Sequence, residues 1–239
     1  MFSSKNGYKA VIFDLDGTLR HTVPLGADVY REKLIEYGLD VSDETHQEVG
    51  RWEHYYWARS PELMRDAERF DGDDEAFWKN YVSMRIKKMG ASDEQAEVFR
   101  PKIERYFAEE YQPVNWVPPE LHEILPMLRE SGFTLAVLSN RRSPFIDLMK
   151  ELALHDYFDA IMAAGEVGAW KPDPQVFDKL LGQLELMPEE TVYIGDNYYA
   201  DVIGARNAGI YPLLYDPRDV FEDPDCIKIT SFEALIEML

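Results

Sequence analysis

The sequence predicts an α/β fold: a doubly wound, Rossmann-like parallel sheet with an inserted all-helical domain. Three observations predict it. The run Lys9-Ala10-Val11-Ile12-Phe13-Asp14 is apolar without alternation and closes on a turn-former, the pattern of a strand buried on both faces. After residue 130, similar short runs alternate with amphipathic stretches. Between these two regions, from about Arg20 to Tyr111, no convincing strand occurs and apolar residues recur at helical spacing.

The elements follow in order. After the first strand, further strands are predicted at Thr134 to Ser139, Ala160 to Ala163, Val192 to Gly195 and Tyr211 to Tyr215. Amphipathic stretches lie at Pro119 to Ser131, Pro144 to Leu154, Pro174 to Leu184 and Ala200 to Ala208. Strand alternating with helix implies right-handed crossovers and helices on both sheet faces. A terminal helix is expected over Ser231 to Leu239, opened by a serine cap.

In the insert, Tyr30, Leu34 and Tyr37, and later Phe77, Tyr81 and Met84, repeat at helical intervals. Breakers at Gly38, Ser60-Pro61, Asp71-Gly72 and Gly90 divide it into four expected helices near 26–38, 43–59, 73–89 and 92–111. The Pro-rich stretch Gln112 to Pro119 marks the return to the sheet. The expected domains are therefore 1–19 with 112–239, and 20–111.

Composition narrows the class. With 46% hydrophobic and 29% charged residues, the 239-residue chain is neither disordered nor membrane-like. The formal net charge of -20 argues against nucleic acid or an anionic membrane as the main partner. Residues 20–111 carry 14 bases and 21 acids and the remainder 11 and 24, so the sheet-forming part is the more acidic. The single cysteine, Cys226, excludes an intrachain disulfide and a Cys-based zinc site. The stretch Met1 to Lys9 is polar and reads as no leader peptide, and no apolar run spans a bilayer; a cytoplasmic protein is expected.

In an open α/β sheet, ligands bind beyond the carboxyl ends of the strands. The first strand is followed by Asp14-Leu15-Asp16-Gly17-Thr18, the second by Ser139-Asn140-Arg141-Arg142. Lys171-Pro172-Asp173-Pro174 follows the third after a loop, and Gly195-Asp196-Asn197, then Asp201, follows the fourth. Carboxylates crowded at one edge need a cation, and an all-oxygen set favours Mg²⁺. A lysine beside it adds a second positive charge for a phosphoryl group. Ser139 and loop N–H groups can cradle the remaining oxygens. The expectation is a phosphoryl-transfer site.

With these motifs in this order, the chain resembles the haloacid dehalogenase superfamily, specifically phosphatase-type members with a helical cap after the first strand. The resemblance rests on Asp14–Thr18 as DxDGT, on Ser139-Asn140, on Lys171 in KPDP, and on Gly195-Asp196 with Asp201; Gly204 to Gly209, GARNAG, matches the usual continuation. It implies that Asp14 attacks phosphorus to form an aspartyl-phosphate, and that Asp16 is the acid and then the base. A backbone role for Asp16, whose carbonyl would ligate Mg²⁺, stays open beside it. By the same resemblance Asp14 and Asp196 ligate the metal, Ser139 binds the phosphoryl group and Lys171 neutralises it. Thr18 holds the loop or the acid and belongs with the phosphate-binding residues. Asn140 either binds phosphate or only stabilises its loop, and Asp201 stands behind the metal or orients a metal water.

Other residues carry weaker signals. Asp173 reads as organising a turn before a helix, and Asn197 as a turn residue or a carboxylate-orienting one. His21 reads as a loop residue. Arg20, Arg141 and Arg142 read either as solvated arginines or as a local positive field for an anionic substrate. In the insert, Trp52, Tyr56 and Arg59 share a helical stripe and are candidates for substrate selection, although aromatics at that spacing usually pack a core.

The expected function is Mg²⁺-dependent hydrolysis of a small phosphorylated metabolite. A haloacid dehalogenase does not need a second aspartate, and phosphonate-cleaving members lack it, so Asp16 argues against both. A sugar phosphomutase shares Asp14 and Asp16 and remains an alternative, as does a catalytically silent binding protein retaining the fold.

Overall fold

A computed structural model describes residues 7–239. The N-terminal reading falls outside the described residues up to Asn6. The strands are β1 (Ala10–Phe13), β2 (His21–Val23), β3 (Val114–Trp116), β4 (Thr134–Ser139), β5 (Ala160–Ala163), β6 (Thr191–Gly195), β7 (Tyr211–Tyr215) and β8 (Ile227–Ile229). The main sheet runs β5-β4-β1-β6-β7-β8, and every neighbouring pair is parallel. The chain moves outward from β1 through β4 to β5, then crosses to the other side of β1 at β6. That reversal makes the carboxyl end of β1 the switch point where such sheets bind ligands.

The sheet is covered on both faces because its central strands carry apolar side chains on alternate sides. Val11, Phe13, Leu135, Val137, Val192 and Ile194 join one buried cluster with Leu121, Leu125, Phe232 and Leu235. Ile12, Ala136, Leu138 and Tyr193 point the other way, into a cluster with Val176, Phe177, Leu180 and Ala205. Odd and even residues of one strand thus feed two cores.

The structure corrects several sequence readings. β8 was not expected: it is short and carries Lys228 at its centre. The terminal helix is Glu233–Met238 and has no side-chain cap, so Ser231 does not play the capping role expected of it. The stretch expected as one helix from Ala200 begins as a π-helical turn, Tyr198–Val202, and continues as Ile203–Asn207.

The chain divides into two compact units, Met1–His21 with Trp116–Leu239, and Thr22–Asn115. The second unit holds helices Gly26–Glu36, Asp43–Trp57, Pro61–Arg69, Asp74–Lys88 and Asp93–Glu109. Its core includes Tyr30, Leu34, Val49, Ile86, Phe99 and Ile103. The helix Pro61–Arg69 stands where Ser60-Pro61 was read as a break. Ser60 instead caps it, accepting from the Leu63 N–H at 3.1 Å, and Pro61 occupies its first turn. Asp73 caps the next helix in the same way. No helix among the described residues is long and apolar enough to cross a membrane.

Candidate active site

Because β4, β1 and β6 are adjacent, their carboxyl ends bring Ser139, Asp14 and Asp196 to one edge. Asp14 continues β1, its N–H donating to the Ile194 carbonyl at 2.8 Å. Lys171 reaches the same point from the loop beyond β5. Its Nζ donates to Asp14 Oδ1 at 2.6 Å, Asp201 Oδ1 at 2.6 Å and the Tyr193 hydroxyl at 2.8 Å. The three protons of a buried ammonium thus have three oxygen partners, as burial of a charge demands.

Two glycines allow this crowding. Gly17 has a positive φ of 94°, and a Cβ there would overlap the Asp196 carboxylate. A Cβ on Gly195 would overlap Asp201. The π-helical turn carries Asp201, whose Oδ2 accepts from the Asn197 N–H at 2.9 Å while Oδ1 faces Lys171. Asn197 in turn accepts from the Tyr199 and Ala200 N–H groups at 3.0 Å, so its side chain is spent on this turn.

Asp14, Asp196 and Asp201 each offer an oxygen within 4.8 Å of the others. Burial raises the Asp14 carboxyl; Lys171 opposes that rise and Asp201 adds to it, and the result lies at about 7. Burial, Asp14 and Asp201 likewise hold the Asp196 carboxyl well above its ordinary range. Among the described residues no cation bonds Asp196. Burial alone would favour loss of the Lys171 proton, but Asp14 and Asp201 keep it firmly protonated. Once all three are ionised, three carboxylates against one ammonium leave an excess of two negative charges. An all-oxygen set with that excess fits a small hard divalent cation such as Mg²⁺.

Asp16 lies apart from this group. Its carboxylate takes Arg20 Nη1 on Oδ1 at 2.6 Å, Arg141 Nε on Oδ2 at 2.7 Å and Arg141 Nη2 on Oδ1 at 2.9 Å. Burial would raise its pKa, but Arg141 and then Arg20 outweigh burial and hold it below the ordinary carboxylate value. Any metal contact from Asp16 therefore falls to its carbonyl, because the side chain is held by arginine. Arg20 and Arg141 in turn are ion-paired, not merely solvated, whereas Arg142 is exposed.

Ser139 is buried at the end of β4. Asn140 donates from Nδ2 to the Lys171 carbonyl at 3.0 Å and accepts from the Lys171 N–H at 2.8 Å. Its side chain thus holds the lysine loop. Thr18 is fully buried, and its hydroxyl has no hydrogen-bond partner, so it does not hold the Asp16 carboxylate. Asp173 caps the helix Pro174–Leu184 by accepting from the Gln175 N–H. His21 Nε2 lies 3.1 Å from the Thr18 carbonyl, within the loop after β1.

In the helical unit, Trp52 Nε1 donates to Glu62 and the Tyr56 hydroxyl to Asp66, each at 2.9 Å. These two rungs tie Asp43–Trp57 to Pro61–Arg69. Tyr56 is fully buried and packs against Trp52, Trp57 and Tyr81, which makes it part of that unit's interior. Arg59 is exposed and has a positive φ of 55° between the two helices.

Tyr193 escaped the sequence reading because it sits inside an apolar strand. Its hydroxyl accepts from Lys171 and donates to the Leu138 carbonyl at 3.0 Å. A phenol in a strand whose other side chains are aliphatic, two residues before Gly195-Asp196, was the available signal.

Comparison with known proteins places this arrangement in a family. The family model for haloacid dehalogenase-like hydrolase matches residues 8–209. A phosphoglycolate phosphatase of Salmonella choleraesuis is 26% identical over 97% of this chain and 92% of its own. A glyceraldehyde 3-phosphate phosphatase of Methanopyrus kandleri is 28% identical, covering 91% of each chain. Among solved structures, a 2-haloacid dehalogenase from Pseudomonas syringae pv. Tomato DC3000 superposes with a TM-score of 0.55 at 26% identity, over 97% of each chain. The match spans β1, β4, β5 and β6 with the motifs at their ends, and the chain belongs to the haloacid dehalogenase-like hydrolases.

Proposed function

We propose that this hydrolase is a Mg²⁺-dependent phosphatase that acts on a small phosphorylated metabolite through an aspartyl-phosphate on Asp14. The observation that carries the reading is the Lys171 ammonium bonded to Asp14 Oδ1 and Asp201 Oδ1 at 2.6 Å each, beside Asp196 at the switch point. The two curated relatives named above are phosphatases of small phosphate esters, which supports the same reading.

Lys171 occupies Oδ1 of Asp14, so Oδ2 is the oxygen that attacks phosphorus. The P–O bond to the leaving group breaks as the Asp14–phosphorus bond forms. Asp16, once its carboxyl leaves Arg20 and Arg141 and takes up a proton, gives that proton to the leaving oxygen. It then takes a proton from water as that water attacks the phosphorus, which frees phosphate and restores both carboxyl groups. Ser139 and the loop N–H groups hold the phosphoryl oxygens in line, while Lys171, fixed by Asn140, Tyr193 and Asp201, neutralises charge on Asp14 and the phosphoryl group beside it. Mg²⁺, held by Asp14, Asp196 and the Asp16 carbonyl, with Asp201 behind them, would supply charge neutralisation for the carboxylates and the phosphoryl group. All of these residues lie in the sheet-containing unit, to which the reading assigns the chemistry. The dehalogenase likeness does not favour a second reading, because dehalogenation gives Asp16 nothing to do.

The test is release of p-nitrophenol from its phosphate ester by the purified chain. Activity with Mg²⁺ that disappears with EDTA and in Asp14→Asn supports the reading. Activity that survives both overturns the proposed mechanism.

A further inference from the structure

We infer that Arg20 and Arg141 form a subsite for a carboxylate on the substrate, so that the preferred class is a phosphate monoester of a small carboxylic acid. The inference rests on the phosphatase reading and deepens it. Each arginine directly follows a strand-end motif: Arg20 follows Asp14–Leu19 beyond β1, and Arg141 follows Ser139-Asn140 beyond β4. The adjacency of β1 and β4 in the sheet brings both to the edge that carries Asp14.

There they already bind a carboxylate. Arg141 grips Asp16 through Nε and Nη2 at 2.7 and 2.9 Å, and Arg20 adds a third bond at 2.6 Å. The fork of Nε and Nη2 is the geometry with which guanidinium recognises carboxylate groups. Two guanidinium charges meet one carboxylate, in a chain whose net charge is -20. The group is also reachable by a solute: the side chains of Asp16 and Arg141 are 38% and 34% exposed. Lys171, by contrast, is sealed among Asp14, Asp201 and Tyr193.

The arrangement couples recognition to chemistry. While both oxygens of Asp16 are held by arginine, its carboxyl does not face a leaving oxygen. A substrate carboxylate that takes the fork of Arg141 and the bond from Arg20 displaces Asp16 and frees it for the leaving group. An ester with a neutral end offers no such exchange. The carboxylate is therefore expected to act on kcat as well as on KM.

The experiment compares near-isosteric pairs that differ by a carboxylate in place of a hydroxymethyl group: 2-phosphoglycolate against 2-hydroxyethyl phosphate, and 3-phosphoglycerate against glycerol 3-phosphate. The intact chain with Mg²⁺ is expected to favour the carboxylate member of at least one pair by about ten- to hundredfold in kcat/KM, the worth of a charge-assisted hydrogen bond or two. Arg141→Gln and Arg20→Gln are expected to lose most of that preference. Arg141→Lys, which keeps the charge but not the fork, is expected to recover part of it. Equal kcat/KM within both pairs for the unsubstituted chain, or a preference that the glutamine variants retain, overturns the subsite. Hydrolysis of p-nitrophenyl phosphate distinguishes the failures: activity on it without a carboxylate preference sinks the subsite alone, and no activity on any ester sinks the phosphatase reading and the subsite with it.

Discussion

The side chain of Asn140 and the backbone of Lys171 exchange two hydrogen bonds, at 3.0 and 2.8 Å, and so lock the end of β4 to the loop that carries the site's ammonium. The positions are 31 residues apart in sequence. The pairing explains how a lysine on a loop can sit within hydrogen-bond distance of three oxygens at once.

Asn140→Ala leaves the Lys171 N–H and C=O without these partners. A loss of about 1–3 kcal/mol in unfolding free energy is expected, the cost of partly buried groups left unbonded. Denaturant titration measures it. Because Lys171 then loses its placement, kcat is expected to fall together with stability. Wild-type activity in a destabilised Asn140→Ala would show that the loop holds Lys171 without help from Asn140.

Lys171 and Tyr193 separate two kinds of contribution. Lys171→Met removes the ammonium bonded to Asp14 and Asp201. Breaking a buried ion pair from one side costs about 3–5 kcal/mol, so this variant is expected to be strongly destabilised as well as inactive. Tyr193→Phe removes only a hydroxyl between Lys171 and the Leu138 carbonyl. It is expected to fold with a loss of about 1–2 kcal/mol and to lower kcat with little change in KM. A Tyr193→Phe enzyme with unchanged kcat would assign the phenol to packing alone.

Metal binding should depend on pH in a defined direction. In the metal-free protein, burial and neighbouring carboxylates raise Asp14 to about 7 and Asp196 well above its ordinary value. A carboxyl with a raised folded-state pKa stabilises the fold fully below the ordinary carboxylate range. That stabilisation is lost as pH rises through the raised value, for Asp14 through about 7. Mg²⁺ binds the ionised groups and displaces their protons. The increase in Tm on adding Mg²⁺ is therefore expected to be small near pH 5 and to grow towards about pH 8. In Asp14→Asn the metal-free stability should lose the part of its pH slope that lies near neutrality. A Mg²⁺-induced shift in Tm that stays constant or shrinks as pH rises contradicts the assignment of these carboxylates to the metal.

The sequence carried the elements whose burial is uniform. β1 and β6, buried at every position, are both legible as apolar runs to within a residue at their ends, and β4, β5 and β7 begin and end as their runs do. The helix Pro61–Arg69 was missed for the opposite reason: none of its residues is buried, so it leaves no apolar stripe, and its Ser-Pro start doubles as a loop signal. The site divides in the same way. Asp14, Lys171, Asp196 and Asp201 were legible because strand ends of a doubly wound sheet converge. The partners of Asp16 were not, because an arginine after a motif reads equally as solvated surface. Only the adjacency of β1 and β4 brings Arg20 and Arg141 to the same carboxylate.

The central claim is that Asp14 carries the phosphoryl group, and trapping that group tests it most directly. The chain is mixed with Mg²⁺ and a phosphate monoester, quenched during turnover and treated with borohydride, which reduces an acyl phosphate to the alcohol. Peptide mass mapping then locates the reduced side chain. The account predicts homoserine at position 14, more of it in Asp16→Asn, where activation of the water fails, and none in Asp14→Asn. A chain that hydrolyses the ester while the reduced side chain is another aspartate or glutamate, or while none is reduced even in Asp16→Asn, contradicts the account.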